Sequence, residues 1–314
     1  MKKINLGINT CFTATRWPLP DEKFRLIREE FGLDIVQYSL DGFDGKLSPQ
    51  YKKRLCESIR EAATRYGISI HSTLTGASHH HDSLLFHPDS EWRENSLNWF
   101  KEAISFSSAI GAKGTGGFYG ALSMAETGSG MRQTRISDFI NCLAVLSKAA
   151  KKRGLEFIML EPMSVRREPP STVEETLFVL REANRKTVVP VRLCLDVGHH
   201  LAVSADSEEE KDPCHWISVL AGFSSVIHVH QTDTLSSRHW PFTECYNRRG
   251  IIRAEKVIEA IESSGVEEAM LMIEIFRPPF EPMDDQILEE IKISVDYWKN
   301  ALKNAKIHRA VADE

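Results

Sequence analysis

The sequence has little that would hold it together apart from a hydrophobic core. Its six cysteines (Cys11, Cys56, Cys142, Cys194, Cys214 and Cys245) are scattered without a CxxC pair. That spacing fits neither a disulfide framework nor a zinc ribbon, and it suits a reducing compartment. Long apolar runs are also missing. The opening MKKINLGINT is too poor in apolar residues for a signal peptide, and no window approaches a membrane span. No membrane association is expected, and the cytoplasm is the expected location. Positive charge is not in excess: 39 Lys and Arg against 44 Asp and Glu leave a formal net charge of −5. A nucleic-acid partner, which calls for a basic face, is therefore not expected. Finally, the residues after the first apolar run are CFTATRWPLP, which is not a glycine-rich phosphate turn.

What is present is a rhythm. With 42% hydrophobic and 26% charged residues among 314, the composition is that of an ordinary globular chain with ample core. Strands are expected at INLGIN (4–9), DIVQYSL (34–40), ISIHST (68–73), AKGTGGF (112–118), LEFIMLE (155–161), VRLCLD (191–196), SVIHVHQ (225–231) and AMLMIEI (269–275). Helices are expected over 21–31, 48–66, 90–110, 132–153, 172–184, 213–223, 253–263 and 284–304. Ser48-Pro49 supplies a cap with proline at the first helical position, and Gly67 and Gly154 supply stops. AKGTGGF is weak by propensity and is read as a strand from its place in the rhythm. Alternating β and α elements imply parallel strands joined by right-handed crossovers, and eight such units close into a barrel. The expected fold is therefore α/β, a (β/α)8 TIM barrel. It forms one domain over 1–306, with 307–314 a frayed tail. An open doubly wound sheet is the alternative, but it normally carries the phosphate turn that is missing here.

In such a barrel the C-terminal strand ends share one mouth. Four apolar runs end there in a polar residue: Glu161, Asp196, His230 and Glu274. One such acid alone is often a helix cap, and one such histidine is often a satisfied structural residue. Together, three carboxylates and an imidazole make a candidate site for one hard divalent ion, Mn²⁺ first, with Mg²⁺ and Co²⁺ as alternatives. Without a cation, carboxylates so close would repel one another.

LEPM, CLDVGHH, HVHQTD and MIEIF resemble the metal-binding strand ends of the xylose isomerase-like barrel superfamily. That group includes ketose 3-epimerases, related sugar isomerases and dehydratases, and endonuclease IV repair enzymes. The likeness follows the order of elements along the whole chain and is strongest over 155–276. It implies Glu161, Asp196, His230 and Glu274 as metal ligands and His199 as a sugar contact. His230 is preferred to His228 because its three-residue spacing to Asp233 resembles the family pattern; His228 is taken as buried on the strand. STLTG (72–76), EPMSVRREPPST (161–172), CLDVGHH and SRHWPFT (237–243) are further similar to erythrulose-phosphate 3-epimerases of bacterial erythritol breakdown.

The resemblance implies inversion of C3 of a short ketose or ketose phosphate, such as erythrulose 1-phosphate, through a cis-enediolate. Glu161 and Glu274 would serve as base and acid. Arg167, Arg238 and His239, on loops after the fifth and seventh strands, are the candidate substrate contacts, with solvated surface arginine as the plain alternative. A homo-oligomer is expected. An aldose–ketose isomerase on the same metal site is the first alternative. An endonuclease IV-like enzyme is the second, weakened because GTGGFYG (114–120) offers no histidine to join His71. The His79-His80-His81 run and His200 receive no role, and Gly198 is read as the turn that lets the backbone pass close by.

Overall fold

Eight parallel strands close on themselves in the computed structural model, which describes residues 3–43, 47–127, 129–200, 207–278 and 281–312. The strands are β1 (Lys3–Asn9), β2 (Ile35–Ser39), β3 (Ser69–Leu74), β4 (Gly114–Gly117), β5 (Phe157–Leu160), β6 (Val191–Asp196), β7 (Ser224–Val229) and β8 (Glu268–Ile273). Each pairs with its neighbours in sequence, and β8 returns to β1 over six registered positions. This is the (β/α)8 TIM barrel, and the rhythm of apolar runs is enough to place all eight strands.

The outer layer consists of α1 (Pro20–Glu29), α2 (Pro49–Tyr66), α3 (Ser90–Ala109), α4 (Met124–Thr127), α5 (Arg132–Arg153), α6 (Val173–Asn184), α7 (Pro213–Leu220), α8 (Glu244–Arg249), α9 (Ala254–Ser263) and α10 (Ile287–Ala312). The sequence signals act locally as expected. Ser48 Oγ accepts from Tyr51 N at 3.2 Å, and Gly67 closes α2 at φ +62°. Two short helices, α4 and α8, form in loops where no helix was expected. The last helix runs on to Ala312. No glycine or proline falls within Ile287–Ala312 to stop it. Among the described residues, no helix is long and apolar enough to cross a membrane.

The weak strand β4 has a steric reason for its glycines. A Cβ on Gly114 would run into the Phe157 ring, and one on Gly116 into the backbone carbonyl of Met159. Gly116 also sits at φ +151°, a conformation that L side chains rarely adopt. Low strand propensity is accepted here because the neighbouring strand supplies the bulk.

Inside the barrel, side chains follow the period of two. Phe157, Met159, Cys194, Val226 and Met272 form an apolar plug with Leu74. Two residues further on, the inward positions become Glu161, Asp196, His228 and Glu274, all buried. The helices pack on the outer face of the sheet around a much larger core that includes Phe24, Phe139 and Trp298. The polar layer is therefore the next tier of a packed stack, held by strands that have no room to slide.

Gly116→Ala forces a methyl group against the β5 backbone. A loss of about 1–3 kcal/mol is expected for such overpacking, read as a lower urea midpoint at unchanged slope. An unchanged midpoint would show that β4 can move away from β5.

Candidate active site

The ends of β5, β6, β7 and β8 bring together most of the residues singled out from the sequence. One oxygen each of Glu161, Asp196 and Glu274 and one nitrogen of His228 lie within 4.8 Å of one another. His228 Nδ1 is 2.9 Å from Glu274 Oε2, 3.6 Å from Asp196 Oδ2 and 3.7 Å from Glu161 Oε1. His230 Nε2 approaches Asp196 Oδ1 at 2.8 Å. Both histidines of HVHQTD therefore face inward, as residues two apart on a strand must. His228, expected only as a buried strand residue, stands amid all three acids.

The far side of each ring is anchored. Gln37 Oε1 accepts from His228 Nε2 at 2.6 Å and from Asn9 Nδ2 at 2.8 Å. Asn9 Nδ2 also donates to Glu274 Oε1 at 2.9 Å, which closes a ring of contacts through β1, β2, β7 and β8. Gln37 Nε2 turns to Ser72 Oγ at 3.3 Å. His230 Nδ1 lies 3.2 Å from the carbonyl of Gln231. Each imidazole thus gives its outer N–H to an acceptor and presents its other nitrogen to carboxylates, the arrangement by which metal-binding histidines are oriented. Asn9 and Gln37 were missed from the sequence. An amide on an inward strand position directly below the acids is the signal that could have found them.

The charges are strongly coupled. Burial pushes the Glu161 carboxyl up from its usual range. Burial also works against the Asp196 carboxylate, but His230 and His199 outweigh it and hold that group well below the usual range. Glu274 is lowered, with His228 overcoming burial. Burial would lower His228, yet Cys194, Glu274 and Asp196 around it hold it well above an ordinary imidazole. Asp196 Oδ2 is buried without a hydrogen-bond partner among the described residues. A pocket with three carboxylates, two oriented imidazoles and an orphaned carboxylate oxygen fits a divalent cation.

Above this layer lies a cavity of about 80 Å³ whose walls include Glu161, Glu274, His199, His239 and Asp41. Asp196 is not among its lining residues. His199 Nδ1 is 3.2 Å from the Pro162 carbonyl and 3.5 Å from Glu161 Oε1. His239 stacks on His230 with ring centroids 4.0 Å apart and holds a φ of +49°. Left-handed backbone at a non-glycine residue is costly and concentrates at functional sites. Burial and His230 push this imidazole down to about 3, so it is neutral at neutral pH. Gly198 donates its N–H to Asp196 Oδ1 at 2.6 Å, and a Cβ there would meet the His230 ring.

The structure does not bring the candidate arginines to this cavity. Arg167 Nη1 donates to the Leu122 carbonyl at 3.2 Å. Arg238 pairs with Asp233 at 3.0 Å and lies over the Trp240 ring. Phe242 is core, stacked on Tyr297. His71 packs against Phe157, away from the cavity. His200 is buried, and its ring lines a small separate cavity beside Trp216.

Comparison with known proteins agrees with this architecture. Over 299 residues the chain is 25% identical to D-erythrulose 1-phosphate 3-epimerase of Brucella abortus (strain 2308), covering 94% of this chain and 95% of that protein. A crystal structure from Rhodospirillum rubrum, provisionally named a xylose isomerase, superposes with a TM-score of 0.87 at 27% identity, covering 95% of this chain and 99% of that one. D-Psicose 3-epimerase of Clostridium cellulolyticum H10 shares the fold with a TM-score of 0.69 at 16% identity, over 96% of this chain and 99% of that one. The model of the xylose isomerase-like TIM barrel family matches residues 24–300, and the chain belongs to that family.

Proposed function

We propose that this sugar epimerase inverts C3 of a short ketose, with erythrulose 1-phosphate and erythrulose as the first candidates. One observation carries the reading. Of the three clustered acids, Glu161 and Glu274 line the cavity while Asp196 does not. Two carboxylates that can reach a substrate, from strands β5 and β8, suit a reaction in which one removes a proton and the other returns one. The likeness to the Brucella enzyme, which extends over nearly all of both chains, supports the substrate class.

Glu161, Asp196, His230 and Glu274 would hold a divalent ion, Mn²⁺ by preference, which would supply Lewis-acid stabilisation of developing negative charge. Among the protein's own residues, one glutamate takes the proton from C3 and leaves a cis-enediolate. The other glutamate delivers a proton to the opposite face. Asn9 and His228 hold the two oxygens of Glu274, so its carboxylate cannot swing away between turnovers. His199 and the neutral His239 offer hydrogen bonds to substrate oxygens at the cavity wall.

Three experiments test this. In D₂O, the metal-loaded protein should incorporate deuterium at C3 of erythrulose or erythrulose 1-phosphate. Label at C1 would mean aldose–ketose isomerisation, and no label with any ketose would remove the catalytic reading. Glu274→Gln should lower C3 exchange by at least about a thousandfold, as expected for loss of an essential acid–base group, while the thermal midpoint stays close to wild type. Normal exchange in that variant would take Glu274 out of the chemistry. Mn²⁺ calorimetry should separate the two histidines. His230→Gln is expected to cost about a hundredfold or more in affinity, and His228→Gln, as a supporting group, about ten- to a hundredfold. The reverse order would make His228 the ligand.

A further inference from the structure

We propose that His80 contacts the substrate and holds the part of the ketose that projects away from the two glutamates. This assignment rests on the epimerase reading above. His80 belongs to the turn Ala77–His81 after β3, a strand that carries none of the acids and lies across the barrel from β7. The turn is pinned from below. Asp41 Oδ1 accepts from Ser78 N at 3.1 Å, and Asp41 Oδ2 accepts from Ser39 Oγ at 2.6 Å. Gly76 packs so closely on Asp41 that a Cβ there would collide with it. The His80 ring then stacks on the buried ring of Phe118, with centroids 4.2 Å apart and planes 12° from parallel.

The imidazole is thus held in place by contacts to its face, and its edge is left uncommitted. Among the described residues, neither ring nitrogen has a hydrogen-bond partner. His80 lines the inner cavity of about 80 Å³ with Glu161 and Glu274, and also an outer cavity of about 530 Å³. It stands where the two cavities meet, so a ketose with C2 and C3 at the glutamates runs its remaining carbons past this ring. The neighbours in the run differ. His79 packs against Trp99, and His81 borders only the outer cavity. Loss of hydration against its neighbours pushes the His80 imidazole down to about 4, so at neutral pH one nitrogen donates and the other accepts. That amphoteric edge matches a sugar hydroxyl. Among the described residues, no lysine or arginine lines either cavity, so a charged end finds no stronger partner there.

The test compares wild type with His80→Phe, which keeps the stack on Phe118, and His80→Gln, which keeps a donor and an acceptor. Two quantities are read on the metal-loaded enzyme: calorimetric Kd and C3 deuterium exchange at saturation, each with erythrulose and with erythrulose 1-phosphate. His80→Phe is expected to weaken binding of both sugars roughly five- to tenfold, as for one lost hydrogen bond, with saturated exchange within about threefold of wild type. His80→Gln should recover most of the affinity. Wild-type Kd in His80→Phe overturns the contact. So does a fall in saturated exchange at unchanged Kd, or a loss confined to the phosphate ester. A wild type that binds ketose in a His80-dependent way but exchanges no deuterium would instead refute the epimerase reading and leave the contact standing. If neither sugar binds wild type, the contact falls as well.

Discussion

Three carboxylates placed side by side, out of bulk water, are the constraint on which this molecule depends. Glu161, Asp196 and Glu274 are all buried at the mouth of the barrel. Carboxylates so placed repel one another and lose hydration, and a chain free to relax would separate them. The barrel prevents that. Each acid is the last inward residue of a strand whose preceding inward residues are locked in an apolar plug, and strand closure leaves no free edge along which to slip. The repulsion is answered by imidazoles, and by the divalent ion that the pocket fits.

That answer requires a second tier. Asn9, Gln37 and Ser72 come from strands that contribute none of the acids, yet they fix the imidazole of His228 and one oxygen of Glu274. A buried polar network of this kind is costly when half satisfied and rigid when complete. Here nearly every member finds a partner, and the conspicuous exception, Asp196 Oδ2, points to the cation site. The first three strands are in this sense as much a part of the site as the last four.

The mouth above the acids is built mainly from histidines. His199 and His239 stand over the carboxylates, and His80 faces them from the turn after β3. The neutral imidazoles of His80 and His239 suit a hydroxyl-bearing sugar, because both partners donate and accept. The arginines that looked available from the sequence are spent elsewhere: Arg167 on a backbone carbonyl, and Arg238 on Asp233 and the Trp240 ring. An arginine near a site in sequence is easily captured by an acceptor within its own loop, and only the folded loop reveals the capture.

Periodicity, caps and apolar runs were enough to place the eight strands, the long helices and the gathering of Glu161, Asp196 and Glu274, because strand direction and barrel closure follow from local patterns. Other features depended on which residues meet across the barrel. The glycines of β4 make sense only against Phe157 and Met159, and Asn9 and Gln37 only beneath Glu274 and His228. The sequence by itself determined that a barrel would carry three acids and a histidine at one mouth. Only tertiary structure decided which nitrogens face those acids, which acids reach the cavity and which histidine stands opposite them, because these are set by distances between strands that lie far apart along the chain.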